Sequence, residues 1–294
     1  EEREIRALGR VISFKPWGIQ YEPDPAHAEM VIKELGLEDA KVALTPYAKT
    51  VHAKGSERAA ILARRENPGL KCNHQDDSPP LSPEKIKRYQ SLAARLNYYA
   101  LDRPDIMFAV KELMRKMATP SEDDETALKR VARYLRGKPR MVTRYLWQWL
   151  PRWLKVSVDS DFAGCHRTRK STSGGVIQWG SQLLKAWSKT QAIIALSSGE
   201  AELAAVVSGA TEGLGMISVL SDFGIVAALT MASDATAAIG MVKRQGLGRV
   251  RHLATADLWV QQRVRRREIT IDKTPGADNS SDMLTKGLDQ ATSN

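Results

Sequence analysis

The sequence predicts an α/β protein whose second half, from about residue 151, is a mixed five-stranded sheet with helices on its faces. Three observations carry this. Segments of alternating apolar residues, such as Leu154-Lys-Val-Ser-Val158, are interleaved with one long helical run over residues 197–223. Residues 83–137 read as helices alone. The 294 residues, 43% hydrophobic and 27% charged, have an ordinary globular composition, with enough chain for roughly two domains of about 150 residues.

Residues 1–48 read strand, turn, strand, helix. Strands at 10–14 and 19–21 flank Lys15-Pro16-Trp17-Gly18, a turn by composition. Asp24-Pro25 then opens a helix with Pro at its first position and apolar Met30, Val31, Leu35 and Leu37. Residues 49–82 are polar and broken by Asn67-Pro68-Gly69 and Asp77-Ser78-Pro79-Pro80, the pattern of a flexible connection. Ser82-Pro83-Glu84 opens a helical segment over 83–150, with helices at 83–100, 104–117 and 121–135. Acids at 122–125 suit the positive end of the third helix. In residues 151–294, strands fall at 154–158, 175–179, 183–187, 229–233 and 268–272. Helices fall at 197–223, 235–242, 254–264 and 279–288. That order makes one mixed sheet with flanking helices.

Composition narrows the function. Cys72 and Cys165 are far apart and neither sits in a C-x-x-C, so a disulfide framework and a zinc ribbon are excluded and an intracellular setting is expected. Cys165-His166 has no partner at zinc spacing, and Gln245-Gly-Leu-Gly248 lacks the Lys-Ser/Thr ending of a phosphate loop. No signal peptide and no apolar run near 20 residues is evident, so no membrane partner is expected. The start lacks Met, so a piece of a longer translation product is expected. Net charge is +10, and no acid occurs between Glu125 and Asp159. In that stretch Arg133, Arg136, Lys138 and Arg140 accompany Tyr134, Tyr145, Trp147 and Trp149, which predicts contact with a nucleic-acid backbone.

Four acids fall at element ends in the second half: Asp159 after the first strand, Glu202 early in the long helix, Asp234 after the fourth strand, and Asp282 in the last helix. Singly, each is an ordinary turn former, cap or first-turn acid. Glu202 differs, because it shares a helix face with Ala205, Val206, Gly209 and Ala210, the side that must pack on a sheet. An acid there is costly unless a cation or donors meet it. Glu200 faces the other way and fits a capping box with Ser197. Carboxylates that converge at strand ends can hold divalent cations for phosphodiester hydrolysis.

Val158-Asp-Ser-Asp-Phe-Ala-Gly164, Arg169-Lys-Ser-Thr-Ser-Gly-Gly175 and Ser197-Ser-Gly-Glu-Ala-Glu-Leu203 resemble the ribonuclease H domain of copia-type long-terminal-repeat retrotransposon Pol polyproteins. Ser233-Asp-Ala-Thr-Ala-Ala-Ile239, Arg251-His-Leu253 and Ser281-Asp-Met-Leu-Thr-Lys286 follow in the family's order. Upstream, Ala100-Leu-Asp-Arg-Pro-Asp-Ile106 and Arg133-Tyr-Leu-Arg-Gly137 resemble the connection segment, and Leu8-Gly-Arg10 through Thr45-Pro46 resembles the tail of the reverse transcriptase. The resemblance implies a ribonuclease H-like domain over 151–294, a helical connection over 83–150, and a small α+β polymerase remnant over 1–48. It assigns Asp159, Glu202, Asp234 and Asp282 as catalytic ligands of two Mg²⁺ or Mn²⁺ ions, with an RNA–DNA hybrid as substrate. It also implies the missing polymerase part of the polyprotein as a partner. Ser198, within the third motif, is expected to contact nucleic acid.

Departures from the family qualify this. The loop Lys273-Thr-Pro-Gly-Ala-Asp-Asn279 lacks the His that cellular ribonucleases H carry there, which implies slow turnover. Ala254 follows Arg251-His-Leu253 where copia-type chains commonly have Asp. The adjacent acids Asp76-Asp77 and Asp123-Asp124 do not lie between hydrophobic strands, so no DNA synthesis is expected. The competing expectation is a catalytically silent nucleic-acid-binding remnant of such a polyprotein.

Overall fold

The computed structural model describes residues 3–47, 78–165, 167–246, 248 and 258–287. Most of the expected connection at 49–82 lies outside them, as do Cys72, Asp76-Asp77, His166, Arg251-His-Leu253 and Ala254. Strands β1 (Arg3–Ala7), β2 (Arg10–Lys15) and β3 (Gly18–Pro23) form an antiparallel meander, and β4 (Thr143–Leu146) pairs with β3. Two of these strands differ from the expectation. All of β1 is exposed, so no alternation marks it. β4, in the segment expected to be helical, is only four residues long and borrows its partner from the far end of the sequence. Helix α1 (Ala26–Glu34) begins where Asp24 Oδ1 accepts the Ala26 amide at 3.0 Å, and it buries Ala28, Val31 and Ile32.

Helices α2 (Pro83–Ala100) and α3 (Pro104–Met114) each carry Pro where the helix has no hydrogen bond to lose. α3 stops three residues short of the expected end. Helix α4 (Glu122–Gly137) starts from a capping box in which Ser121 and Asp124 exchange hydrogen bonds. The two quoted upstream motifs meet at Arg103, which has no exposed surface. Its Nε and Nη2 donate to Asp105 at 2.9 and 2.7 Å, and Nη2 also reaches the Lys138 carbonyl at 3.0 Å. Tyr134 Oη donates to Asp105 Oδ2 at 3.0 Å, so the α2–α3 turn is fastened to the end of α4.

The second sheet contains β5 (Trp153–Ser160), β6 (Thr172–Trp179), β7 (Gln182–Thr190), β8 (Ala228–Ser233) and β9 (Ile269–Lys273), in the order β7-β6-β5-β8-β9. β7, β6 and β5 are antiparallel neighbours, while β5–β8 and β8–β9 are parallel. This is the expected mixed sheet. Helices α5 (Ser198–Asp222), α6 (Thr236–Lys243) and α7 (Trp259–Arg265) cover one face, over a core that includes Leu154, Val156, Val158, Met231 and Ile271. Val176 and Leu284, on the other face, belong to the core of the helical block. Lys111 of α3 also donates to Thr172 Oγ1 at 2.7 Å, at the start of β6.

α5 is long and apolar enough to cross a membrane by length and composition, contrary to the expectation from apolar runs. Its apolar side is packed: a Cβ added at Gly209 would come 2.4 Å from Val158 Cγ1, so only glycine lets the helix lie this close to β5. The expected last helix at 279–288 is replaced in the described part by a 3-10 turn, Asp282–Leu284. Asn279 explains the change. Its Nδ2 donates to the Val158 carbonyl at 3.0 Å, while its Oδ1 accepts the Ser281 amide and hydroxyl, which competes with a helical ladder.

Candidate metal centre

Parallel pairing of β5 with β8 sets Ser157 opposite Ala232, so Asp159 and Asp234 occupy equivalent positions at neighbouring carboxyl ends. Adjacent strands lie about 4.8 Å apart, which brings the two side chains to one edge. Glu202 comes from the start of α5, whose face of Ala201, Ala205 and Val206 packs on the sheet. Carboxylate oxygens of Asp159, Glu202 and Asp234 all lie within 4.8 Å of one another. Glu202 Oε2 is buried with no hydrogen-bond partner. Three converging carboxylates, one with a buried orphan oxygen, suit a hard divalent cation that takes oxygen ligands.

The charges in this group oppose one another. Burial, followed by the nearby Asp159 and Asp234, pushes Glu202 up to about 8. Burial also raises Asp159, against the hydrogen bond it accepts from Thr285 Oγ1. A pH dependence of stability follows. Between its ordinary value of 4.5 and about 8, Glu202 keeps a proton in the folded chain that the unfolded chain releases. The metal-free chain should therefore lose stability as pH rises through that window, by on the order of 2 kcal/mol after solvent screening. Denaturant unfolding of the EDTA-treated chain at pH 5 and pH 8.5 measures this. Glu202→Gln should flatten the decline, and an equal slope in both proteins would refute the buried-charge account.

Three supporting residues escaped the sequence reading. Thr285 orients Asp159 through its hydroxyl, and it reaches that position because Gly174 of β6 leaves room: a Cβ there would sit 2.8 Å from Thr285 Cγ2. Gln191 is buried and its Nε2 donates to Ser160 Oγ, Ser173 Oγ and the Ala201 carbonyl at 2.8–3.1 Å. One side chain thus ties the ends of β5 and β6 to the first turn of α5, next to Glu202. Gly174 and Thr285 lie inside quoted motifs and Gln191 in none, but nothing local gives the role of any of the three, since their partners lie elsewhere in the chain.

The structure does not bring every candidate to the centre. Asp282 is exposed on its 3-10 turn and pairs with Lys286, outside the group of three. Glu200 points away, as expected, but its Oε2 accepts the Leu196 amide at 2.9 Å while Ser197 Oγ donates to Oε1. Ser198 is exposed at the first position of α5. The basic candidates lie at the end of α4 and beyond, with partners inside the chain. Arg136 donates to the carbonyls of Glu38 and Ala40, Arg140 makes a two-pronged bond to buried Glu22, and the Lys138 ammonium lies over the Tyr134 ring. Arg133 has a buried Nε with no hydrogen-bond partner. Beside Asp234, an open groove of about 600 Å³ is lined by Lys273, Thr274, Pro275 and Gly276, the loop that lacks a His.

The fold and the carboxylate group together define an α/β chain whose mixed five-stranded sheet carries three converging acids at one edge. It is homologous to retrovirus-related Pol polyproteins of copia-type plant transposons. It is 29% identical over 203 residues to the Pol polyprotein from transposon RE2 of Arabidopsis thaliana, covering 68% of this chain and 14% of that one. It is 25% identical over 262 residues to that from transposon TNT 1-94 of Nicotiana tabacum, covering 88% and 18%. An uncharacterized mitochondrial protein of Arabidopsis thaliana is 28% identical over 209 residues, covering 70% and 75%. The chain thus spans under one fifth of the two Pol polyproteins. No protein-family model matches it. Among solved structures, foamy viral protease-reverse transcriptase in complex with dsDNA is similar over 93% of this chain and 45% of its own, with 12% identity and a TM-score of 0.50. That likeness is one of fold.

Proposed function

We propose that this chain is a metal-dependent ribonuclease H that cleaves the RNA strand of RNA–DNA hybrids, as the C-terminal part of a copia-type Pol polyprotein. The observation that carries this reading is the convergence of Asp159, Glu202 and Asp234 within 4.8 Å from three separate elements. Asp159 and Asp234 would hold the metal, and Glu202 would complete the set with its buried free oxygen. Bound Mg²⁺ or Mn²⁺ supplies activation of water and stabilisation of the leaving oxygen at a phosphodiester. The chain's own residues do the positioning: Thr285 fixes Asp159, and Gln191 fixes the first turn of α5. Asp282 enters this reading as a fourth ligand that would have to leave Lys286.

The hybrid is the proposed partner, held by its backbone through the basic residues Arg133, Arg136, Lys138 and Arg140 and by Ser198, in an intracellular setting. The polymerase part of the polyprotein is a further proposed partner. The reading is tested with the full chain in excess over a labelled RNA–DNA hybrid, with Mg²⁺ or with EDTA. Cleavage of the RNA strand only with Mg²⁺, leaving 3′-hydroxyl and 5′-phosphate ends, is expected. Hybrid binding without cleavage would replace the nuclease by a silent binding remnant.

A further inference from the structure

Asp282 and Lys286 form an ion pair, Nζ to Oδ1 2.5 Å, on the turn beside the metal centre. Thr285, the residue before Lys286, gives its hydroxyl to Asp159, so the backbone at Lys286 is held against the carboxylate group. Among the described residues no Lys, Arg or His forms an ion pair with Asp159, Glu202 or Asp234. Lys286 also interacts electrostatically with Asp159 and Asp234, besides its contact with Asp282. It is the cation that answers the cluster.

We propose that Lys286 is the resident counter-ion of this centre: its ammonium offsets the clustered acids in the metal-free chain and holds Asp282 outside them until a divalent cation displaces it. The proposal rests on the metal-dependent reading above. A single positive charge beside three carboxylates stabilises them without needing them as ligands, whereas a divalent cation must enter among them and meets Lys286 as a like charge. Removing the ammonium therefore has opposite effects on the two states. The metal-free chain loses a counter-charge, and the metal-bound chain loses a repulsion.

Mn²⁺ titrations of the full chain by calorimetry and by electron paramagnetic resonance of free Mn²⁺ test this, for wild type, Lys286→Met, Lys286→Gln and Lys286→Arg. Lys286 is half-exposed, so these variants should fold. Met and Gln variants should bind Mn²⁺ about tenfold more tightly than wild type, the effect of one like charge at this range. The Arg variant should stay within about twofold. In EDTA, the Met variant should melt below wild type, and saturating Mn²⁺ should remove the difference. Mn²⁺ binding by wild type with equal or weaker binding by the Met and Gln variants would overturn the counter-ion role and leave the metal centre standing. No Mn²⁺ binding by any of the four proteins would remove both. Binding by the Met and Gln variants alone would support the role in its strongest form, a lysine that excludes the metal.

Discussion

Asp159→Asn is expected to abolish hybrid cleavage in a single turnover while hybrid binding persists. Asp159 sits 4% exposed at the end of β5, beside Asp234, which follows β8 directly, and its Oδ2 accepts the Thr285 hydroxyl. Asn keeps the shape and can still accept that bond, but it brings neither the charge nor the second ligand oxygen that a divalent cation requires. The fold has little to lose. Asp159 is raised by burial and lies beside two other acids, so removing its charge relieves repulsion, and the metal-free variant should melt no lower than wild type. Excess enzyme matters because the loop at 273–279 has no His to carry a proton, so turnover is expected to be slow. Cleavage by Asp159→Asn at the wild-type rate would sink the three-carboxylate centre. A variant that neither cleaves nor binds, with a lowered melting point, would instead mark Asp159 as structural.

The second large effect is on stability and lies far from the chemistry. Asp105→Ala should destabilise the chain by about 3–5 kcal/mol, because it leaves the Arg103 guanidinium buried without its counter-charge. Arg103 has no exposed surface, and both of its bonds to Asp105 are shorter than 3.0 Å. The carbonyl of Lys138 and the hydroxyl of Tyr99 remain as acceptors, but neither carries charge. Against a typical total of about 5–15 kcal/mol, this is a large fraction. Denaturant unfolding measures it. The double variant Arg103→Met, Asp105→Leu should be less destabilised than Asp105→Ala alone, since replacing both partners removes the uncompensated charge. Equal loss in the two proteins would show that the pair acts through shape rather than charge.

Elements whose signals are local are legible in the sequence. Pro83, Pro104 and Ser121 announce the helices that follow them, and alternation marks β5 through β9. Those strand ends were enough to bring Asp159 and Asp234 together, and the small-residue face of α5 was enough to turn Glu202 inward. What stayed hidden depends on distant partners. β4 is a strand only because β3 offers it an edge. The segment after Asn279 fails to become a helix because the Asn279 side chain bonds the Val158 carbonyl, across the sheet from its own sequence neighbours. The expectation of four clustered acids met three for the same reason, since Asp282 rides on that turn and faces Lys286. The basic stretch at 133–140 is legible as charge, but its contacts within the chain are not. Arg136 and Arg140 have carbonyl and carboxylate partners whose presence no count of residues reveals.

The second sheet has a side that is not its own. Val176 and Leu284, with Leu183 and Ala186 beside them, lie in one apolar core with α2, α3 and α4. Lys111 and Arg115 extend the same seam by bonding Thr172, Cys165 and Thr168 at the loop that leads into β6. Mechanically, the helical block is the floor on which the carboxylate edge is levelled, since Gly174 of β6 is the strand neighbour of Asp159 and also leaves the room that Thr285 occupies. Wear in that floor would be felt as misalignment above it. A substitution deep among the helices is thus expected to shift the three carboxylates without touching an acid.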